Sequence, residues 1–176
     1  MDIRVGETLD LEQDFLVLGL FEENEAYYQE IPGLAEELRH VISQGLFKKN
    51  FGKHYVTKIH QGHRRVLILG LGKKEEMSLE RLRRLMHKAF KAAKRRKMRS
   101  ISTNIPSLVS LETFSPEDIG RSLAEGLLLS SYRFDKYLSK EEEEIEMSIV
   151  SVLWQENKEV LEKGINQGQI IAQATN

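Results

Sequence analysis

The side chains that could carry chemistry fall into a few short stretches. His54, His60 and His63 bracket the run His54-Tyr-Val-Thr-Lys-Ile-His60 and the turn that follows it. Imidazole nitrogens are good zinc ligands, so His60 and His63 could share an ion with an acid from elsewhere. No such acid is adjacent in sequence, and the pattern reads as histidines exposed at a turn. Glu141 to Glu144 form the densest carboxylate cluster. A dinuclear hydrolase needs convergent carboxylates around a water whose pKa the metals lower. Consecutive side chains splay apart, so this stretch reads as a solvated charged loop. Ser130-Ser131 lack a His and an acid at a recognisable spacing, and read as small packing or helix-end residues rather than nucleophiles. Gly70-Leu-Gly72 leads into a helical segment, the place where phosphates often bind. The third glycine of a dinucleotide turn is replaced by Glu75, and Lys73-Lys74 is not the Lys-Ser/Thr of a P-loop, so tight turning is the simpler account of both glycines.

Charge is the stronger signal. The chain has 26 Lys or Arg against 27 Asp or Glu, yet from Arg81 to Arg99 there are ten basic residues and no acid, whereas Lys140-Glu-Glu-Glu-Glu-Ile-Glu146 is nearly all acidic. Leu82, Leu85, Met86, Ala89 and Ala93 recur at three- and four-residue spacing and predict a helix from Leu79 to about Lys97 with one buried stripe. Arg84, Lys88, Lys91 and Arg95 then lie on its remaining surface, where they could contact phosphates weakly and without sequence preference. Phe90 alone interrupts them with an aromatic ring, so base stacking adds little. A solvated face, or pairing with the acidic stretch of another subunit, is the reading favoured over nucleic acid.

The elements that must position these residues are those of an α/β fold. Arg65-Val-Leu-Ile-Leu-Gly-Leu-Gly72 runs without alternation, as a strand covered on both faces does, and predicts a central strand. With the basic helix, capped by Ser78, and a second β run at Ser100 to Asn104, it predicts a βαβ unit with a buried parallel pair. Ile3 and Val5 alternate with polar neighbours and suggest an edge strand. Asp14 to Phe21 is a further buried strand beside the central one. A helix from about Gly33 to Gln44 follows, closing at Gly45, and His54 to His60 should pair back on the central strand as an antiparallel hairpin. Ser115-Pro-Glu-Asp118 opens a helix through Ile119, Leu123, Leu127 and Leu128, with Tyr132, Phe134 and Tyr137 packing at its end. Met147 to Trp154 is the last strand, and the last helix, from about Asn157, carries Val160, Leu161, Ile165, Ile170 and Ile171. The expected architecture is a mixed, mainly parallel sheet flanked by helices.

At 176 residues, with 40% hydrophobic and 30% charged residues, the chain suits one well-cored domain. It has no cysteine, which removes disulfides, thiolate nucleophiles and cysteine zinc sites. Met1-Asp-Ile-Arg-Val-Gly6 is unlike a signal peptide and no apolar run approaches the roughly 20 residues of a membrane span, so a soluble, cytoplasmic protein is expected.

Three segments carry a family resemblance. Arg65-Val-Leu-Ile-Leu-Gly-Leu-Gly-Lys73, the helix start Leu79-Glu-Arg-Leu-Arg83, and Ala124-Glu-Gly-Leu-Leu-Leu-Ser-Ser-Tyr-Arg-Phe-Asp-Lys-Tyr137 together resemble the N-terminal domain of the leucyl (cytosol) aminopeptidase family. The stretch Gly168 to Asn176 is similar to the helix leading from that domain towards the catalytic domain. The resemblance implies a macro-domain-like fold over residues 1–155 and a linking helix over 156–176. It also implies a cytoplasmic homo-hexamer in which this domain contacts its own catalytic domain and neighbouring subunits. The family's two divalent metal ions, manganese or zinc, are held by a catalytic domain whose Asn-Thr-Asp-Ala-Glu-Gly-Arg signature does not occur here. The expectation for the chain as it stands is therefore a noncatalytic domain with no catalytic, cofactor or metal residues, belonging to an enzyme that releases N-terminal amino acids. The alternative is a free-standing macro-like module that binds nucleic acid or a phosphorylated nucleotide.

Overall fold

Two uninterrupted apolar strands organise the sheet. In the computed structural model, which describes residues 1–59, 64–110, 113–137 and 146–175 (backbone only within 132–137), every residue of β2 (Phe15–Phe21) is buried, as is all of β4 (Arg65–Gly72) after Arg65. They pair in parallel from Phe15 against Arg65 to Leu20 against Gly70. The remaining strands are β1 (Asp2–Gly6), β3 (His54–Lys58), β5 (Ser100–Thr103) and β6 (Ile149–Leu153), giving one six-stranded sheet in the order β1-β6-β5-β2-β4-β3. All pairs are parallel except β3 with β4, the expected hairpin. Strand β1, with its exposed alternate positions, lies at the expected edge.

The expected central pair is corrected. Strand β4 is second from the edge, and β4 and β5 do not touch, because β2 lies between them. The connection through α2 (Leu79–Arg95) skips one strand position, and the more completely apolar β2 fills it.

Alternation divides the core into two layers. Phe15, Val17, Leu67, Leu69, Leu71, Ile101, Val150 and Val152 face α2, α4 (Pro116–Tyr137) and α5 (Lys158–Thr175). Leu16, Leu18, Leu20, Val66 and Ile68 face α1 (Leu34–Ser43), which contributes Leu34, Leu38 and Val41. A short helix, α3 (Ile105–Val109), has too few residues to show a period and was not visible in the pattern. Ser78 caps α2 by accepting the Arg81 N–H at 3.1 Å, and Ser115 caps α4 through the Asp118 N–H at 3.1 Å.

Helices α4 and α5 cross at glycines. A Cβ on Gly164 would come within 2.0 Å of the Glu117 carbonyl oxygen, and one on Gly120 within 2.2 Å of that of Leu161. Leu127 is buried as expected, but Leu128 is only partly so, one position further round the helix. The buried face of α5 is Leu161, Gly164, Ile165, Gly168 and Ala172, whereas Ile170 and Ile171 are exposed. The four- and three-residue spacing from Gly164 carries this stripe past the two isoleucines. The packing expected of Tyr132, Phe134 and Tyr137, and the loop containing Glu141 to Glu144, lie outside the described residues.

Candidate functional site

The basic helix builds one concave surface. On α2 the apolar stripe of Leu82, Leu85, Met86, Ala89, Phe90 and Ala93 packs into the core. Phe90, the one aromatic among the basic residues, is 1% exposed, so its ring is unavailable for stacking. Arg84, Lys88, Lys91 and Arg95 lie at offsets of four, three and four residues, which aligns them along one face over about three turns. All four line a groove of about 840 Å³ between α2 and the β3 edge. Its other wall is Phe51, Gly52, Lys53 and His54, and Leu67 and Leu85 lie at its floor.

That second wall is held by contacts the sequence did not announce. The Arg81 and Arg84 guanidinium groups lie over the Phe51 ring, 4.5 and 5.2 Å from its centre. Lys88 Nζ donates to the Gly52 carbonyl. The chain before β3 is also laced to the end of β4. Gly70 N–H donates to the Lys53 carbonyl at 2.7 Å, Gly52 N–H to that of Gly70 at 3.0 Å, and Gly72 N–H to that of Lys49 at 3.0 Å. This revises the account of the glycine pair. Only Gly72, with φ of 73°, turns the chain; Gly70 is needed because a Cβ there would lie 2.2 Å from the Asn50 carbonyl oxygen. Both amides are already engaged, so this turn is not a phosphate cradle.

The electrostatics of the groove are one-signed. Among the described residues no carboxylate pairs with Arg84, Lys88, Lys91 or Arg95, whereas the neighbouring Arg83 bonds Glu125 at 2.8 Å and Glu80 at 3.2 Å. Burial, and then the charges of Lys88, Arg96 and Arg95, hold the His54 imidazole below its usual pKa. At neutral pH it is therefore an uncharged hydrogen-bonding group among cations. His60 and His63 lie outside the described residues.

Elsewhere the polar groups are structural. His87 Nδ1 lies 2.6 Å from Ser130 Oγ, a serine–histidine contact between α2 and α4. Ser130 also donates to the Gly126 carbonyl one turn back, so its proton is committed there and the pair is not arranged as nucleophile and base. Open α/β sheets often bind ligands beyond the carboxyl ends of the strands, where the connections part. Just past the end of β5, Asn104 is taken up by backbone and side-chain partners: its Oδ1 accepts the Gly19 N–H at 3.2 Å and its Nδ2 donates to Tyr28 Oη at 2.9 Å. Tyr28, with φ of 62°, in turn donates to the Gly19 carbonyl. Among the described residues no three His, Asp or Glu converge as a metal ion would require.

A mixed six-stranded sheet with helices on both faces is the architecture of macro domains, and solved structures agree. The macro domain of ganglioside induced differentiation associated protein 2 superposes with a TM-score of 0.64 at 15% identity, over 92% of this chain and 80% of that one. A mutant tomato leucine aminopeptidase superposes with a TM-score of 0.71 at 19% identity, over 98% of this chain but 36% of that one. The family model described as "Cytosol aminopeptidase family, N-terminal domain" matches residues 17–141. A probable cytosol aminopeptidase of Clostridium perfringens is 30% identical over 173 residues, covering 93% of this chain and 33% of the relative. The chain belongs to the cytosol aminopeptidase family, as its N-terminal domain. It spans about a third or less of the curated relatives it matches, 33% and 28% for the first two.

Proposed function

We propose that this chain is the noncatalytic assembly domain of a leucyl-aminopeptidase-like enzyme. The longer protein would release N-terminal amino acids from peptides through water activated by two divalent metal ions in a separate catalytic domain, within a cytoplasmic hexamer. The observation that carries this reading is the match of residues 17–141 to the family's N-terminal domain, together with the alignment of 93% of the chain to 33% of a relative named as a probable cytosol aminopeptidase. The pattern of polar groups supports it. The concave surface along α2 is cationic, and cations repel the metals that peptide hydrolysis of this class needs.

In this reading residues 1–155 form the macro-like unit and α5 leads towards the catalytic domain. Ile170, 66% exposed, and Ile171, 41% exposed, sit on the last turns of that helix. Isolated in water they gain nothing; against a following domain or a neighbouring subunit they would bury apolar area worth roughly 25 cal/mol per Å². A calorimetric titration of manganese into the chain tests the noncatalytic assignment. The expected result is no stoichiometric heat, and one or two manganese ions bound per chain with micromolar affinity would overturn it.

A further inference from the structure

We infer that the groove between α2 and the β3 edge is a binding site for a free nucleoside polyphosphate, with the phosphates along the α2 cations and the base over the apolar floor. Three observations support the assignment. The first is the row Arg84, Lys88, Lys91 and Arg95, which places a cation at each turn of α2 over about 16 Å. Arg84 lies over Phe51 and Lys88 donates to the Gly52 carbonyl, so a triphosphate, which is shorter than the row, would meet its Lys91 and Arg95 end. The second is that none of the four has a carboxylate partner among the described residues, although Arg83 on the same helix has two. The protein has thus compensated the charge beside the groove and left the charge inside it.

The third is the shape and chemistry of the space. About 840 Å³ lies within the range of small-molecule sites, which are concave and largely apolar with a few directed polar groups. Leu67 and Leu85 are almost wholly covered, so the apolar surface open to a ligand is that of the half-buried Ala92 and Phe51. A bare surface for solvated counterions needs no such lining, whereas a flat base would bury against it. The wall opposite α2 is fixed by the Phe51 stack and the Lys88 bond to Gly52, so the site is formed before a ligand arrives.

Calorimetric titration of the 176-residue chain at low ionic strength tests the inference, with ATP, tripolyphosphate and a short single-stranded oligonucleotide as probes. ATP should bind one to one, and tripolyphosphate about tenfold more weakly for want of a base. Lys91→Gln with Arg95→Gln should weaken ATP binding by at least about tenfold, because each removes a charge-assisted contact. Both residues are exposed, so the melting temperature should not move, and Lys163→Gln, a cation outside the groove, should change nothing. No ATP binding, equal affinity for ATP and tripolyphosphate, or an unchanged affinity in the double variant would each overturn the inference. So would binding of the oligonucleotide without ATP, which would make the groove a strand contact.

Discussion

Substituting Gly164 by Ala sets helix propensity against packing, and the two predict opposite signs. In a helix interior the exchange stabilises by roughly 0.5–1 kcal/mol, because alanine loses less backbone freedom on folding. Here the added Cβ would lie 2.0 Å from the Glu117 carbonyl oxygen, 2.8 Å from its carbon and 3.0 Å from the Arg121 nitrogen. These are backbone atoms of α4, so no side chain can swing away. Raising the shortest contact from 2.0 Å even to 3.0 Å requires α5 to retreat by about 1 Å. A gap of that size forfeits a quarter to a half of each dispersion contact across it, and Leu161, Ile165 and Ala172 are seated in that interface. Overpacking of this kind costs roughly 1–3 kcal/mol and sometimes more. With rigid backbone on the other side the cost falls at the upper end of that range, so the net expectation after the propensity gain is a loss of about 2 kcal/mol, or roughly 4–8 °C in Tm for a chain of this size. Urea denaturation of parent and variant measures it. Gly6→Ala, where the nearest atom is 3.8 Å away, serves as the unhindered control and should be near neutral. A Gly164→Ala variant more stable than the parent would refute the close α4–α5 crossing.

Other consequences can be checked in the same way. Leu127→Ala, at a side chain 1% exposed, should lower stability by about 2–5 kcal/mol, and Leu128→Ala, at the rim of the core, by clearly less. Asn104→Ala strands the Gly19 N–H and removes the donor to Tyr28 Oη, whose own proton stays on the Gly19 carbonyl, and should cost about 1–3 kcal/mol for the buried amide left without its side-chain partner; a denaturant midpoint equal to the parent's would place that network on the surface. Burial raises the Tyr28 phenol above its usual value of 10.0, outweighing the Asn104 hydrogen bond, which lowers it. The unfolded chain therefore loses this proton first, and the contribution is complete below about pH 10 and is lost as pH rises beyond it. The urea midpoint of the parent should fall more steeply above pH 10 than that of Tyr28→Phe; equal slopes would refute it.

The parts of this fold written in local patterns were legible, and those set by tertiary approach were not. The continuous apolar runs of β2 and β4, the Ser78 and Ser115 caps and the stripe of α2 each state their element within one or two turns of chain. Strand order is different: nothing in the run from Arg65 to Gly72 says that β2 will insert between it and β5. Gly70 looked like a turn residue because the approach of Asn50 from twenty positions away has no local mark. The cations of the groove were visible as a helical ridge. Its opposite wall was not, since Phe51 lies in the turn before β3 and His54 at the start of β3, and no local pattern says that they will be brought against α2. Ile170 and Ile171 followed the apolar count of α5 but not its glycine-centred face.

The central claim is that this domain supports a peptidase without performing the reaction. Incubating the purified chain with leucine 4-nitroanilide and added manganese or zinc tests it most directly. No release of nitroaniline above the metal-only blank is expected at any protein concentration. Metal-dependent turnover that scales with the chain and survives repurification would contradict it.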